Sequence, residues 1–153
     1  MYSKEEKKQI KKNFWTSLED KLSAKGKAKG RNIMWMNYPT KIRDLYFRIE
    51  IDKTSAKLCI DLQFLDNGVR EVFYEQFQEF ELKLNQAFEN GVHFVKDYQH
   101  SNGKIISRIY TELLNVNFYD KKDWDKMQPF IIDNFLNLDD FWLEFSDVFH
   151  NLL

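Results

Sequence analysis

Hydrophobic positions recur along this chain in two distinct periods, and each change of period marks an element. Near the N-terminus Ile10, Phe14, Leu18 and Leu22 return every four residues, the spacing of one face of an α-helix. Ser3 and Glu6 precede them with capping-box spacing, a hydroxyl at the cap and a carboxylate three residues on. The pattern predicts an amphipathic helix from about Lys4 to Leu22. It gives way to SAKGKAKGR, whose glycines and lysines predict a loop. Ile33 and Trp35 fall on one side of the short stretch Asn32 to Tyr38, which reads as a strand closed by Pro39.

The next stretch, RDLYFRIEIDKTSAKLCIDLQFLD from Arg43 to Asp66, alternates apolar and polar residues twice over and reads as a β-hairpin. A four-residue loop, Lys53 to Ala56, sets Leu45 opposite Phe64, Phe47 opposite Leu62, Ile49 opposite Ile60 and Ile51 opposite Leu58. On the other face it pairs Arg48 with Asp61, Tyr46 with Gln63 and Asp52 with Lys57. A two-residue loop, Lys53-Thr54, also keeps the two faces pure. Neither residue favours the positive φ of tight hairpin turns, so the longer loop is preferred.

Val69, Phe73, Phe77, Phe80, Leu84 and Phe88 then form the clearest helical stripe, ended by Asn90-Gly91. A second hairpin runs from Val92 to Gln99 and from Lys104 to Glu112, with Asn102-Gly103 as its turn signal. Two further helices are expected between Asp120 and Leu153, with Pro129 near a helix start or a kink. The order is αβββαββαα. It predicts one α+β domain over residues 1–153: a mainly antiparallel sheet of about five strands with long helices packed on one face.

Composition narrows the class. The chain has 153 residues, 14 Phe, 7 Tyr and 4 Trp, enough to bury a substantial core. Its net charge of −1 predicts no polyanion partner from bulk charge alone. Cys59 is the only cysteine, so no internal disulfide can form, as expected of a reducing compartment. No apolar run reaches the roughly 20 residues of a membrane span, and MYSKEEKKQIKKNF carries no signal-peptide core. A cytoplasmic protein without a membrane segment is the expectation.

The acids of the first hairpin are the strongest catalytic candidates. A restriction-endonuclease-like core runs α-β-β-β-α-β, and its carboxylates hold Mg²⁺ while a lysine helps activate water. Asp44, Glu50 and Asp61 could supply the carboxylates, but Gln63 stands where the lysine belongs. The favoured reading makes these acids the solvated, ion-paired side of a sheet, with Arg48 as the partner of Asp61. The basic run is the second candidate. Residues 1–31 hold 10 Lys or Arg against 4 Asp or Glu, whereas residues 113–153 hold 3 against 8. Lys25, Lys27, Lys29 and Arg31 could meet nucleic-acid phosphates. The favoured reading is a solvated loop attracted to the chain's own acidic end. His93, His100 and His150 show no metal-ligand spacing, and no motif implies a cofactor. Leu138, Phe141, Trp142, Phe145, Val148, Phe149 and Leu152 cover much of a helix, which offers a surface for a homodimer.

Five stretches taken together, SKEEKKQIKKNFWTSLE, NYPTKIRDLYFRIEID, EVFYEQFQEFE, GKIISRIY and LDDFWLEF, resemble in series the bacterial family catalogued as domain of unknown function 4268. The resemblance spans nearly the whole chain. It implies a small cytoplasmic domain without an assigned activity, found alone or joined behind nuclease-like domains, and it carries over no catalytic residue. Tyr38, Arg43, Arg108 and Trp142 fall within or beside the matching segments as candidates for a partner surface. The expectation is therefore a non-catalytic interaction module with a protein or nucleic-acid partner, accessory to nucleic-acid metabolism or phage defence. A Mg²⁺-dependent nuclease, active or degenerate, is the competitor.

Overall fold

The computed structural model describes residues 2–153. These residues form helix α1 (Lys4–Ala28), a 3₁₀ turn (Trp35–Asn37), strands β1 (Leu45–Ile51) and β2 (Ser55–Leu62), helices α2 (Asn67–Glu79) and α3 (Glu81–Ala87), strands β3 (His93–Gln99) and β4 (Ile105–Leu114), and helix α4 (Lys121–His150). The four strands make one antiparallel sheet in the order β1-β2-β4-β3. The fold is α+β as expected, with four strands rather than five. Among the described residues no helix is long and apolar enough to cross a membrane.

The missing strand and the longer first helix have one cause. Helix α1 does not stop at Leu22; it runs through Gly26 to Ala28. The Nε1–Cζ2 edge of Trp35 packs against Gly26, so close that a Cβ there would meet the indole at 2.8 Å. Gly26 is thus a packing site within the helix. The segment carrying Trp35 folds as a 3₁₀ turn that delivers the ring to Gly26 and Phe135, where it sits edge-on at 5.2 Å. Gly30 is the true terminator. At φ +80 it closes a Schellman motif, with the Arg31 N–H on the Gly26 carbonyl at 2.8 Å and the Gly30 N–H on that of Lys27 at 2.9 Å.

The first hairpin takes the shorter loop. Leu45 faces Leu62, Phe47 faces Ile60, Ile49 faces Leu58 and Ile51 faces Ala56, so the four-residue loop and the Arg48–Asp61 pairing are both corrected. Lys53 and Thr54 close the turn without positive φ. The Asp52 carboxylate makes this workable by accepting from the Thr54 N–H at 2.8 Å, the Thr54 hydroxyl at 2.9 Å and the Ser55 N–H at 2.8 Å. Partial burial acts to raise the Asp52 pKa, but these hydrogen bonds prevail and hold it below its ordinary value.

The helical stripes divide differently from their periodicity. The Phe stripe breaks at Phe80, where the Phe80 N–H reaches back three residues to the Phe77 carbonyl at 3.0 Å and α3 begins. At the other end of the chain the two expected helices are one. Helix α4 carries Pro129 inside it and continues for 30 residues. Met127, Ile131, Phe135, Leu138, Trp142 and Phe149 all bury into the same core, and that continuous apolar face keeps the helix together across the missing N–H. The sheet contributes Leu45, Phe47, Leu58, Ile60, Leu62 and Ile109 to the core, all on the face covered by the helices. Among the described residues no helix packs on its other face.

The Gly26–Trp35 contact predicts a reversal of ordinary helix propensity. Ala is favoured over Gly in a helix interior by about 1 kcal/mol. Here Gly26→Ala should instead destabilise the fold by about 1–3 kcal/mol through overpacking, read as a lower midpoint in urea unfolding. An unchanged or higher midpoint would contradict the contact.

Candidate functional site

The side chains on the uncovered face come from even-numbered positions of β1 and β4 and odd-numbered positions of β2. At its centre Asp61 on β2 lies directly opposite Arg108 on β4. The pair is bidentate: Arg108 Nε donates to Asp61 Oδ1 at 2.8 Å and Nη2 to Oδ2 at 3.0 Å. The remaining nitrogen, Nη1, donates to Glu50 Oε2 on β1 at 3.0 Å. Tyr98 caps the guanidinium, its ring centroid 4.3 Å from Cζ. Arg108 is 2% exposed and Asp61 1%, although this is the side of the sheet without helices. Long neighbouring side chains, rather than a second layer, exclude the water.

Those neighbours form a connected surface. Lys57 approaches Glu50 Oε1 at 3.8 Å and the Tyr110 ring at 5.9 Å. His93 stacks on Tyr110 at 5.0 Å. Arg48 lies 4.4 Å over the Tyr46 ring and does not serve Asp61; the arginine that does so is Arg108 on the other neighbour of β2, strand β4. Cys59 is buried beneath this layer, and burial together with the Asp61 charge pushes its thiol pKa far up. Burial also acts against the charge on Arg108, but its hydrogen bonds to Asp61 and the field of Glu50 hold its pKa above the ordinary value. The guanidinium is a permanent cation, and both oxygens of Asp61 are committed to it.

The four residues of the nuclease reading therefore divide. Glu50 and Asp61 gather around Arg108. Asp44 and Gln63 sit at the end of the sheet, joined through the Gln63 N–H and the Asp44 carbonyl at 2.8 Å. There they line a cleft of about 820 Å³ with Tyr46, Arg70, Asp97 and Lys104. Asp44 adopts φ +70, which aims the chain into β1. Among the described residues no group of three His, Cys, Asp or Glu side chains is placed to hold a metal ion.

The remaining candidates lie elsewhere. Arg31 forms a bidentate pair with Asp139 on α4, at 2.9 and 3.0 Å, and Lys29 reaches Asp140 at 3.4 Å. The Tyr38 hydroxyl donates to the same Asp139 at 2.5 Å. Burial and that carboxylate push the Tyr38 pKa well up. Lys25 and Lys27 are exposed on the last turns of α1. Trp142 is buried and donates its indole N–H to the Thr40 carbonyl at 3.3 Å. Of Tyr38, Arg43, Arg108 and Trp142, only Arg43 presents an exposed side chain. Sequence reasoning missed Tyr98, Tyr110 and His93 as members of one surface. Arg108 and Tyr110, two apart on β4, were the available signal, since such residues share a face of a strand.

The family model described as Domain of unknown function (DUF4268) matches residues 10–146 of the chain. No curated protein matches it, and no solved structure does.

Removing one partner of a buried ion pair leaves an uncompensated charge and typically costs about 3–5 kcal/mol. Asp61→Ala should fall in that range in urea unfolding. The apolar pair Asp61→Leu with Arg108→Met should recover most of the loss. A cost of a few tenths of a kcal/mol for Asp61→Ala would show that the pair is solvated.

Proposed function

The chain belongs to the DUF4268 family, and from that premise we propose that it is a non-catalytic binding module whose ligand surface is the open face of its sheet. One observation carries the reading: the carboxylate best placed for metal chemistry, Asp61, has both oxygens occupied by Arg108. A carboxylate that grips a buried guanidinium is poorly available to Mg²⁺, which needs oxygen ligands in near-ideal octahedral geometry. Over the same pair lie half-buried aromatic rings and paired charges: Tyr46 with Arg48, Tyr98 with Arg108, Tyr110 with Lys57 and His93. Aromatic rings and arginines already held in place make good contact groups, because little side-chain freedom is lost on binding.

The charges on this face are balanced. Arg48, Lys57 and Arg108 stand among Glu50, Asp61 and Glu112. That balance favours a protein partner over a nucleic-acid backbone, which binds by accumulated positive charge. The basic run supports the same preference, since Arg31 and Lys29 are matched by Asp139 and Asp140 of the same chain. A role accessory to nucleic-acid metabolism or phage defence is the context implied by the family resemblance. The competing nuclease reading requires Glu50 and Asp61 to release Arg108 and to act with Asp44 and Gln63 from the neighbouring cleft.

Two measurements separate these readings. Added MgCl₂ should leave the melting temperature unchanged, whereas a rise of several degrees, abolished by Asp61→Asn, would favour hydrolysis. A photo-crosslinking phenylalanine analogue in place of His93 or Tyr110 should capture a partner protein in host cells. The same analogue in place of the exposed Leu82 on α3 should not. Equal capture from Leu82 would remove the open face as the ligand surface.

A further inference from the structure

The two edges of the sheet are built differently. At β3 the edge is blunted. An extra residue bulges between Val95 and Tyr98, Lys96 and Asp97 stand exposed there, and the Lys96 carbonyl is taken by the Ser107 hydroxyl at 2.6 Å. Bulges and charges of this kind keep edges from pairing. The β1 edge has neither a bulge nor a proline; its seven residues, LYFRIEI, run in unbroken register.

The direction of its backbone groups follows from the ends of the β1–β2 ladder. The Gln63 N–H donates to the Asp44 carbonyl at 2.8 Å, and the Asp52 N–H donates to the Ser55 carbonyl at 3.0 Å. Both bonds use even-numbered residues of the β1 segment, and bonding positions alternate along an antiparallel pair. The even residues therefore bond to β2, and Leu45, Phe47, Ile49 and Ile51 turn their N–H and C=O groups outward. Leu45 is served by the Ile42 carbonyl and the Thr40 hydroxyl. Among the described residues no hydrogen bond reaches the outward groups of Phe47, which is buried, or of Ile49 and Ile51, which are half-buried. Beside them runs a groove of about 310 Å³ lined by Trp15, Trp35, Met36 and Ile49, with Glu19 and Arg48 among its walls.

We propose that this edge pairs with the same edge of a second copy of the chain, antiparallel about a two-fold axis at Ile49. Parity and charge select the register. Outward-facing odd residues must meet odd residues. With Ile49 opposite Ile49 of the second copy, Phe47 meets Ile51 on the helix side of the sheet. On the open side Arg48 meets Glu50 twice, once in each direction. Moving one allowed step sets Arg48 against Arg48; moving the other way sets Glu50 against Glu50. Like charges directly opposite are destabilising, and opposite charges are favourable. The Glu50 oxygen not used by Arg108, Oε1, lies 3.8 Å from Lys57 and is exposed enough to receive a second cation. The seven residues are thus complementary to themselves, as an isologous interface requires. The paired sheets form one eight-stranded open face with Tyr46 and Arg48 of both copies near its middle. The dimer does not depend on any ligand bound there.

Sedimentation equilibrium of the full chain across the micromolar range tests the proposal, together with three variants. The wild type should dimerise. Arg48→Glu, which faces Glu50 of the second copy, should raise the dissociation constant at least tenfold. Ile49→Pro removes an outward N–H, which an edge strand tolerates, and should give a monomer with unchanged circular dichroism. If Ile49→Pro fails to fold, Arg48→Glu decides alone. Position 49 meets itself at a Cα separation of about 5.5 Å, within disulfide reach. Ile49→Cys should therefore crosslink under mild oxidation far faster than Arg48→Cys, and buried Cys59 should not compete. A monomeric wild type throughout the range would overturn the proposal. So would a dimer insensitive to Arg48→Glu, or a monomer that captures a foreign extended peptide along β1.

Discussion

Arg108 and Asp61 bind face to face across the two central strands, on the side of the sheet that no helix covers. Taking two charges out of water costs several kcal/mol per ion, and only close, bidentate geometry offsets that cost. The geometry exists only if β2 and β4 keep their register. A one-residue slip would move Asp61 onto the core face and leave Arg108 buried alone. The pair therefore acts as a registration device between β2 and β4. Glu50 extends its influence to β1 and Tyr98 extends it to β3, so all four strands converge on one guanidinium.

Its chemistry follows from the same constraint. An isolated carboxylate on a strand, with a second acid nearby, would be a reasonable metal ligand. A carboxylate fully engaged by a permanent cation serves structure first. What the arrangement provides instead is a stiff surface. Rings and cations are stacked in pairs, charges are matched, and Cys59 is sealed below as an inert thiol. The proposed binding role draws on this order, since side chains held in place beforehand lose little freedom on association.

Much of the fold was legible in the sequence, and the failures have specific causes. The Ser3–Glu6 capping box and the Asn102-Gly103 hairpin rest on local signals and appear as expected, whereas the Phe stripe is helical but divided at Phe80. Gly26 reads as a loop residue in the sequence because only tertiary contact with Trp35 explains a glycine inside that helix. The first hairpin departs from the register expected for a four-residue loop because its turn is closed by the Asp52 carboxylate and not by residues of positive φ. Pro129 did not divide α4 because the apolar stripe on either side of it buries in one core. At the candidate site the acids Glu50 and Asp61 were found from alternation alone. Their true partner was not, since Arg108 is 47 residues from Asp61 and only the strand order β1-β2-β4-β3 brings them together.

Hydrogen exchange of the arginine side-chain Nε–H groups, followed by nitrogen-15 NMR, observes the central bond directly. The Arg108 Nε–H, assigned by its loss in Arg108→Lys, should exchange far more slowly than those of exposed Arg43 and Arg48, and should lose that protection in Asp61→Asn. An Arg108 Nε–H that exchanges as fast as that of Arg43 would contradict a buried pair and the organisation of the sheet built on it.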